Sequence, residues 1–145
     1  MIRAAVIAAA MVVGVAAHAA PPVPPVFLHV HAVVDGDTIK VIDGERIVSV
    51  RFRGIDAPEM RGRCPEERQL AREARNVVYR ATLAGVWLRD RKPGGGGFGR
   101  DLATVHGADG EDVGELLVTE MLARPYDGKS KRKSWCYGKT EGSRE

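Results

Sequence analysis

The chain has 145 residues, 22 basic and 19 acidic, with a formal net charge of +3 and 44% hydrophobic residues. That supports one buried core and not comfortably two. The charge is too nearly balanced to argue by itself for a polyanionic partner, and two cysteines with no Cys-x-x-Cys or mixed Cys/His cluster disfavour a structural zinc site.

The chain opens with Met1-Ile2-Arg3, an apolar run from Ala4 to Ala17, and Ala17-His18-Ala19 at positions a signal peptidase reads. Residues 1–20 therefore read as a secretory signal. The apolar run is shorter than the ~20 residues a membrane span needs, and Pro21-Pro22-Val23-Pro24-Pro25 stops a helix. Residues 21–27 form a proline-rich lead-in, 28–126 the domain and 127–145 a basic tail. Loss of Arg3 with the signal leaves 21 basic and 19 acidic side chains, a net of +2. An exported chain meets oxidising conditions, so Cys64 and Cys136 are expected to pair. No membrane association is expected after cleavage.

Phe27–Val34 alternates as a strand, with Leu28, Val30, Ala32 and Val34 on one face. Asp35-Gly36-Asp37 turns into a second strand, Thr38–Ile42, and Asp43-Gly44 is a hairpin signal before a third, Glu45–Arg53. Gly54–Cys64 reads as a loop. Pro65 suits a helix's first turn, and Leu70, Ala74, Val77, Val78 and Ala81 recur at helical spacing, giving a helix from Glu66 to Ala84. Val86–Asp90 is a fourth strand, Lys92–Gly97 a flexible loop and Phe98–His106 a fifth strand. Asp112 and Glu115 stand at capping-box spacing and open a second helix to about Leu122. Trp87 and Trp135 are expected to pack. Five short strands with a helix after the third predict an α+β class: a five-stranded OB-fold barrel with two helices.

Several polar residues fall at strand ends. A phosphodiester resists attack because its oxygens are negative, so a catalyst must neutralise that charge and deliver a nucleophile. Carboxylates can hold a divalent cation against a phosphoryl oxygen, guanidinium groups clamp the other oxygens, and a further carboxylate can orient or deprotonate water. Asp37 and Asp56 suit the metal, Arg51 and Arg100 the clamp, and Glu59 the water. Basic side chains also cluster in the tail, at Lys129, Lys131, Arg132 and Lys133.

These residues lie in Val34-Asp35-Gly36-Asp37-Thr38, Arg51-Phe52-Arg53-Gly54-Ile55-Asp56-Ala57-Pro58-Glu59, Gly99-Arg100-Asp101-Leu102-Ala103, Gly114-Glu115-Leu116-Leu117-Val118 and Leu122-Ala123. With those motifs the chain resembles the staphylococcal nuclease (thermonuclease-like) family from Val30 to Tyr126. The resemblance implies a calcium-dependent OB-fold endonuclease cutting DNA and RNA, with a 5′-oxygen leaving group and 3′-phosphate products. It implies that Asp37, Asp56 and the Ala57 backbone carbonyl ligate Ca²⁺, that Arg51 and Arg100 bind the scissile phosphate, and that Glu59 positions or activates water. Three departures stand out. Gly94–Gly97 and Phe98 replace charged residues and a tyrosine, a third helix gives way to a short tail, and Tyr126 aligns loosely as a base-stacking residue. A Cys64–Cys136 bridge tying the tail down is a further expectation, as is a monomer. The alternatives are a catalytically inactive OB-fold nucleic-acid-binding module, and a structural domain whose acidic loop binds calcium.

Overall fold

The computed structural model describes residues 24–137; the signal reading, residues 21–23 of the proline-rich lead-in and residues 138–145 of the tail fall outside them. Five strands close a barrel: β1 (Val26–Val33), β2 (Thr38–Asp43), β3 (Arg46–Phe52), β5 (Val86–Lys92) and β6 (Asp101–Gly107), paired in the order β1-β2-β3-β6-β5, with β5 returning to β1. A two-stranded sheet joins β4 (Ile55–Asp56) to β7 (Arg124–Pro125). Helix α1 (Pro65–Thr82) follows β4, and α2 (Val113–Thr119) follows β6. This is the expected α+β, OB-type barrel with two helices. Among the described residues, no helix is long and apolar enough to cross a membrane.

The barrel closes because its strands alternate. Ile39 and Val41 on β2, Val50 and Phe52 on β3, Leu88 on β5, and Ala103 and Val105 on β6 are all buried. α1 covers one end with Ala74, Val77 and Val78, and α2 adds Val113 and Leu117. Most pairings are antiparallel; β3 and β6 run parallel, Val50 opposite Asp101 and Arg51 opposite Leu102.

Four details differ from expectation. In β1 the register shifts between Val30 and Ala32, leaving His31 as an extra residue. Such a bulge flips the alternation, so Val33 points inward and Val34 is exposed. The segment read as the loop Gly54–Cys64 begins with the short strand β4, paired through Asp56 with Arg124. The fifth main strand starts at Asp101 rather than Phe98, because Gly97, Phe98 and Gly99 all take positive φ. Helix α2 ends at Thr119, since Met121 at φ 59° cannot continue it; its start is as expected, with Asp112 Oδ1 accepting from the Gly114 and Glu115 amides.

Candidate active site

The bulge delivers the Asp35–Asp37 turn onto the middle of α1, at Ala74. A Cβ on Gly36 would stand 2.7 Å from Ala74 Cβ and 2.9 Å from Ala57 Cβ. Only glycine lets this turn lie that close to both the helix and the Asp56-Ala57 segment, and the closeness brings Asp37 beside Asp56. Both carboxylates are buried. Asp37 Oδ1 accepts from Thr38 Oγ1 at 2.9 Å and Arg51 Nη1 at 3.2 Å, and its Oδ2 accepts from the Ala57 amide at 3.3 Å.

Arg51 comes from β3, directly opposite Thr38 in the β2–β3 ladder. Its Nη2 lies 3.0 Å from Asp37 Oδ2 and 3.8 Å from Asp56 Oδ1, so one guanidinium nitrogen faces both acids. Asp56 Oδ2 accepts from the Trp135 indole Nε1 at 3.3 Å. Asp56 Oδ1 is buried without a hydrogen bond. Arg132 Nε stands 2.5 Å from that oxygen, close enough for charge pairing but without hydrogen-bond geometry. The same guanidinium donates from Nη2 to Glu59 Oε1 at 2.9 Å.

Glu59 leaves β4 on a short loop shaped from beneath by Glu67 of α1. Glu67 Oε1 accepts from the Glu59 amide at 3.5 Å and Oε2 from the Arg63 amide at 2.9 Å. The buried Glu67 carboxylate thus aims the loop that carries the exposed carboxylate of Glu59.

Arg100 sits immediately before β6. Its Nε and Nη2 donate to the Gly97 and Gly96 carbonyls at 3.2 and 3.0 Å. The glycine run read as a flexible loop is a hydrogen-bonded turn: the Gly95 amide donates to Lys92 O, Gly96 to Arg100 O and Gly94 to Asp101 Oδ1. A Cβ on Gly96 would meet Asp101 O at 2.7 Å and Arg51 Cβ at 3.0 Å, so glycine is what lets this turn fold against the arginine strand. Asp101 anchors the base of the turn through Arg91, which also reaches Asp43 at 2.7 Å. Burial lowers the Arg91 pKa, and its two carboxylate partners more than reverse that. Phe98 is fully exposed at the tip, with the Arg100 guanidinium 5.8 Å from its ring. Arg51, Phe98, Arg100, Tyr126 and Arg132 line one open groove of about 610 Å³.

The tail closes the other side. Cys64 and Cys136 are joined through their sulfurs, 72 positions apart in sequence. Cys64 is also the N-cap of α1, so the bond fixes the tail at the mouth of the Glu59 loop. Among the described residues Cys64, Glu67 and Cys136 are the only three His, Cys, Asp or Glu side chains close enough together to share an ion, and the bonding of the two sulfurs to each other removes that group as a metal site. Trp135 is buried under the Arg124 guanidinium, 3.7 Å from ring centroid to carbon, and Arg124 Nη1 donates to the Ser134 carbonyl at 3.0 Å.

The structure thus gathers Asp37, Arg51, Asp56, Ala57 and Glu59, while Arg100 shares a groove with Arg51 and its guanidinium is turned onto the Gly96 and Gly97 carbonyls. Sequence reasoning missed Glu67 and Arg124, named Arg132 only as one of the basic tail cluster, and gave Trp135 only a packing role. The expected Cys64–Cys136 pairing was the available signal, because it places residues 132–135 beside the Glu59 loop. The site's electrostatics also reach Asp35: burial, then the neighbouring Asp37 carboxylate, raise its pKa to about 6.

Comparison with known protein families matches residues 49–142 to the staphylococcal nuclease homologue family. Two curated relatives, one from Escherichia coli O157:H7 and one from Escherichia coli, each named "Uncharacterized endonuclease", are 33% identical over 99 residues. That alignment covers 66% of this chain and 58% of each relative, so the chain spans little more than half the length of the relatives it matches. The chain belongs to the staphylococcal nuclease homologue family.

Proposed function

We propose that this family member is an exported, calcium-dependent endonuclease that hydrolyses phosphodiester bonds of DNA and RNA. The observation that carries the reading is convergence: Arg51 spans two buried carboxylates and shares a groove with Arg100, while Glu59 lies one guanidinium away. Asp37, Asp56 and the Ala57 carbonyl would hold the ion. Their all-oxygen donor set suits a hard cation, and Asp56 Oδ1, buried and without a hydrogen bond, is an acceptor that a cation would satisfy. Calcium bound there supplies charge neutralisation and polarisation of a phosphoryl oxygen.

The protein's own groups do the rest. Arg51 and Arg100 grip the phosphate oxygens, and their hold strengthens as negative charge builds in the transition state. Glu59, more than half exposed, orients a water and accepts its proton. The water oxygen bonds to phosphorus as the bond to the 5′-oxygen breaks, and that oxygen takes up a proton. The products are a 5′-hydroxyl and a 3′-phosphate. Phe98 at the groove tip offers a stacking face to a base. Export is supported by the pattern of residues 1–20 and by a bonded cysteine pair, which persists in oxidising compartments. We take residues 28–126 as the nuclease domain, 127–145 as its tail, and the protein as a monomer free of the membrane.

The test incubates purified protein with single-stranded DNA or RNA, in calcium or in chelator. Digestion is expected with calcium only, yielding 3′-phosphate ends. Arg51→Ala and Glu59→Ala should each lower turnover by roughly 10²-fold or more while the fold survives. Binding of polynucleotide without cleavage under all conditions would favour the catalytically inactive module instead.

A further inference from the structure

The nuclease reading has no use for Arg132, yet this side chain makes the closest charged contact to a buried site carboxylate. It reaches Asp56 and Glu59 from 76 and 73 positions away in sequence. We propose that Arg132 is a third phosphate-binding guanidinium, parked on Asp56 and Glu59 until a divalent cation displaces it toward the substrate. The proposal rests on the nuclease reading above.

Three observations support it. The first is the quality of the Asp56 contact. At 2.5 Å Arg132 Nε pairs in charge with Asp56 Oδ1, yet that oxygen has no hydrogen bond. Arg132 therefore occupies the carboxylate oxygen that an ion between Asp37 and Asp56 would need. Two cations cannot share one carboxylate oxygen at that range without strong mutual repulsion, so an ion at Asp37 and Asp56 evicts the guanidinium. The second is the tether. The residues beyond Arg132 are fixed by the Arg124–Ser134 hydrogen bond, the buried Trp135 and the Cys136 bond. Residues 131–135 belong to no helix or strand, and the Arg132 side chain is 39% exposed. The backbone is held while the long side chain has room to turn. The third is position. Arg132 borders both the Arg51–Arg100 groove and a second groove of about 660 Å³ bordered by Arg124, Tyr126 and Lys133. A guanidinium released from Asp56 stays at the junction where a phosphate beside the scissile one must pass, and its fork suits bidentate capture of that phosphate.

The test separates parking from bracing because the two predict opposite signs. In Arg132→Ala, calcium alone, titrated calorimetrically, should bind about fivefold tighter or more. Lys129→Ala, which removes a tail charge that forms no ion pair with Asp56 or Glu59, should change that affinity far less. In the same Arg132→Ala variant, KM for single-stranded DNA should rise about tenfold or more, with kcat within a few-fold. Arg132→Lys should fall between, keeping the charge and losing the fork. Weakened calcium binding together with a lowered Tm would make Arg132 a structural brace and overturn the proposal. Calcium affinity that matches the Lys129→Ala control, or an unchanged KM, would also overturn it. If the parent protein cuts nothing, the nuclease reading fails and takes this proposal with it; if the parent cuts, the ratio of variant to parent judges Arg132 alone.

Discussion

Replacing both Cys64 and Cys136 by serine tests how the tail is held. The bond spans 72 residues of sequence. In the chain-entropy model, opening a loop of that size relaxes the unfolded state by about 4 kcal/mol. Loss of the cap does not confound the change: Cys64 Sγ accepts from the Glu67 amide at 3.4 Å, and a serine hydroxyl at an N-cap does this better. For a domain of this size, 4 kcal/mol corresponds to a Tm fall of roughly 12–20 °C. Calorimetry in calcium-free buffer should record that fall, and the parent protein in reductant should converge on the same Tm. A second readout follows the tail itself. In a Trp87→Phe background, Trp135 is the sole indole, and its burial should give blue-shifted emission that moves red when the bond is absent. A Tm change under about 3 °C with unchanged emission would refute the reasoning, because Trp135, Arg124 and Arg132 would then hold the tail without the bond.

Asp35 gives a pH prediction. Its folded pKa is raised to about 6 from an ordinary 3.8, so the folded state binds more protons between those values and stability falls as pH rises through that window. Asp35→Asn keeps the acceptor for the Asp37 amide and should stabilise the calcium-free protein by up to about 3 kcal/mol above pH 6 and by nothing below pH 3.8; an equal gain in thermal melts at both extremes would contradict this. Asp101→Ala strips Arg91 of one carboxylate and the Gly94 amide of its acceptor, at an expected cost of about 2–3 kcal/mol by urea unfolding. Trp135→Phe keeps the packing but removes the donor to Asp56 Oδ2; a loss of about 1–2 kcal/mol in the calcium-free protein is expected, and no loss would mean the indole N–H contributes nothing to holding Asp56.

The barrel was legible because its signals are local. β-branched alternation marks β2 and β3, Asp43-Gly44 marks their hairpin, and Pro65 with the Ala74-Val77-Val78 face marks α1. The bulge at His31 was not legible: it depends on how β1 meets its partner strand, and a shift of one residue reverses which of Val33 and Val34 faces inward. Asp37, Arg51 and Asp56 could be singled out because each sits at or beside a strand end, and Glu59 because it follows closely on the loop after β4. Arg132 and Trp135 could not be placed from spacing alone. Their position follows from a covalent bond across 72 positions, and in the sequence the cysteine pair is the signal that links the two segments. The glycine run misled in the opposite sense. Glycine in a sequence reads as freedom, whereas Gly96 is present because the turn folds tightly against Arg51.

The parallel pairing of β3 with β6 has a consequence for how such a protein can change. Arg51 lies within one strand and Arg100 directly precedes its neighbour, and both strands run in the same direction from a fixed register. The separation of the two backbone positions that carry the guanidinium groups is therefore set by the ladder and not by the length of chain joining β5 to β6. Residues can be added to or removed from the turn at Gly94–Gly97, and the aromatic at its tip exchanged, while the two arginine-bearing backbones keep their spacing. That hairpin is the part of the molecule whose length and tip residue can change without altering the spacing of the two arginine-bearing backbones.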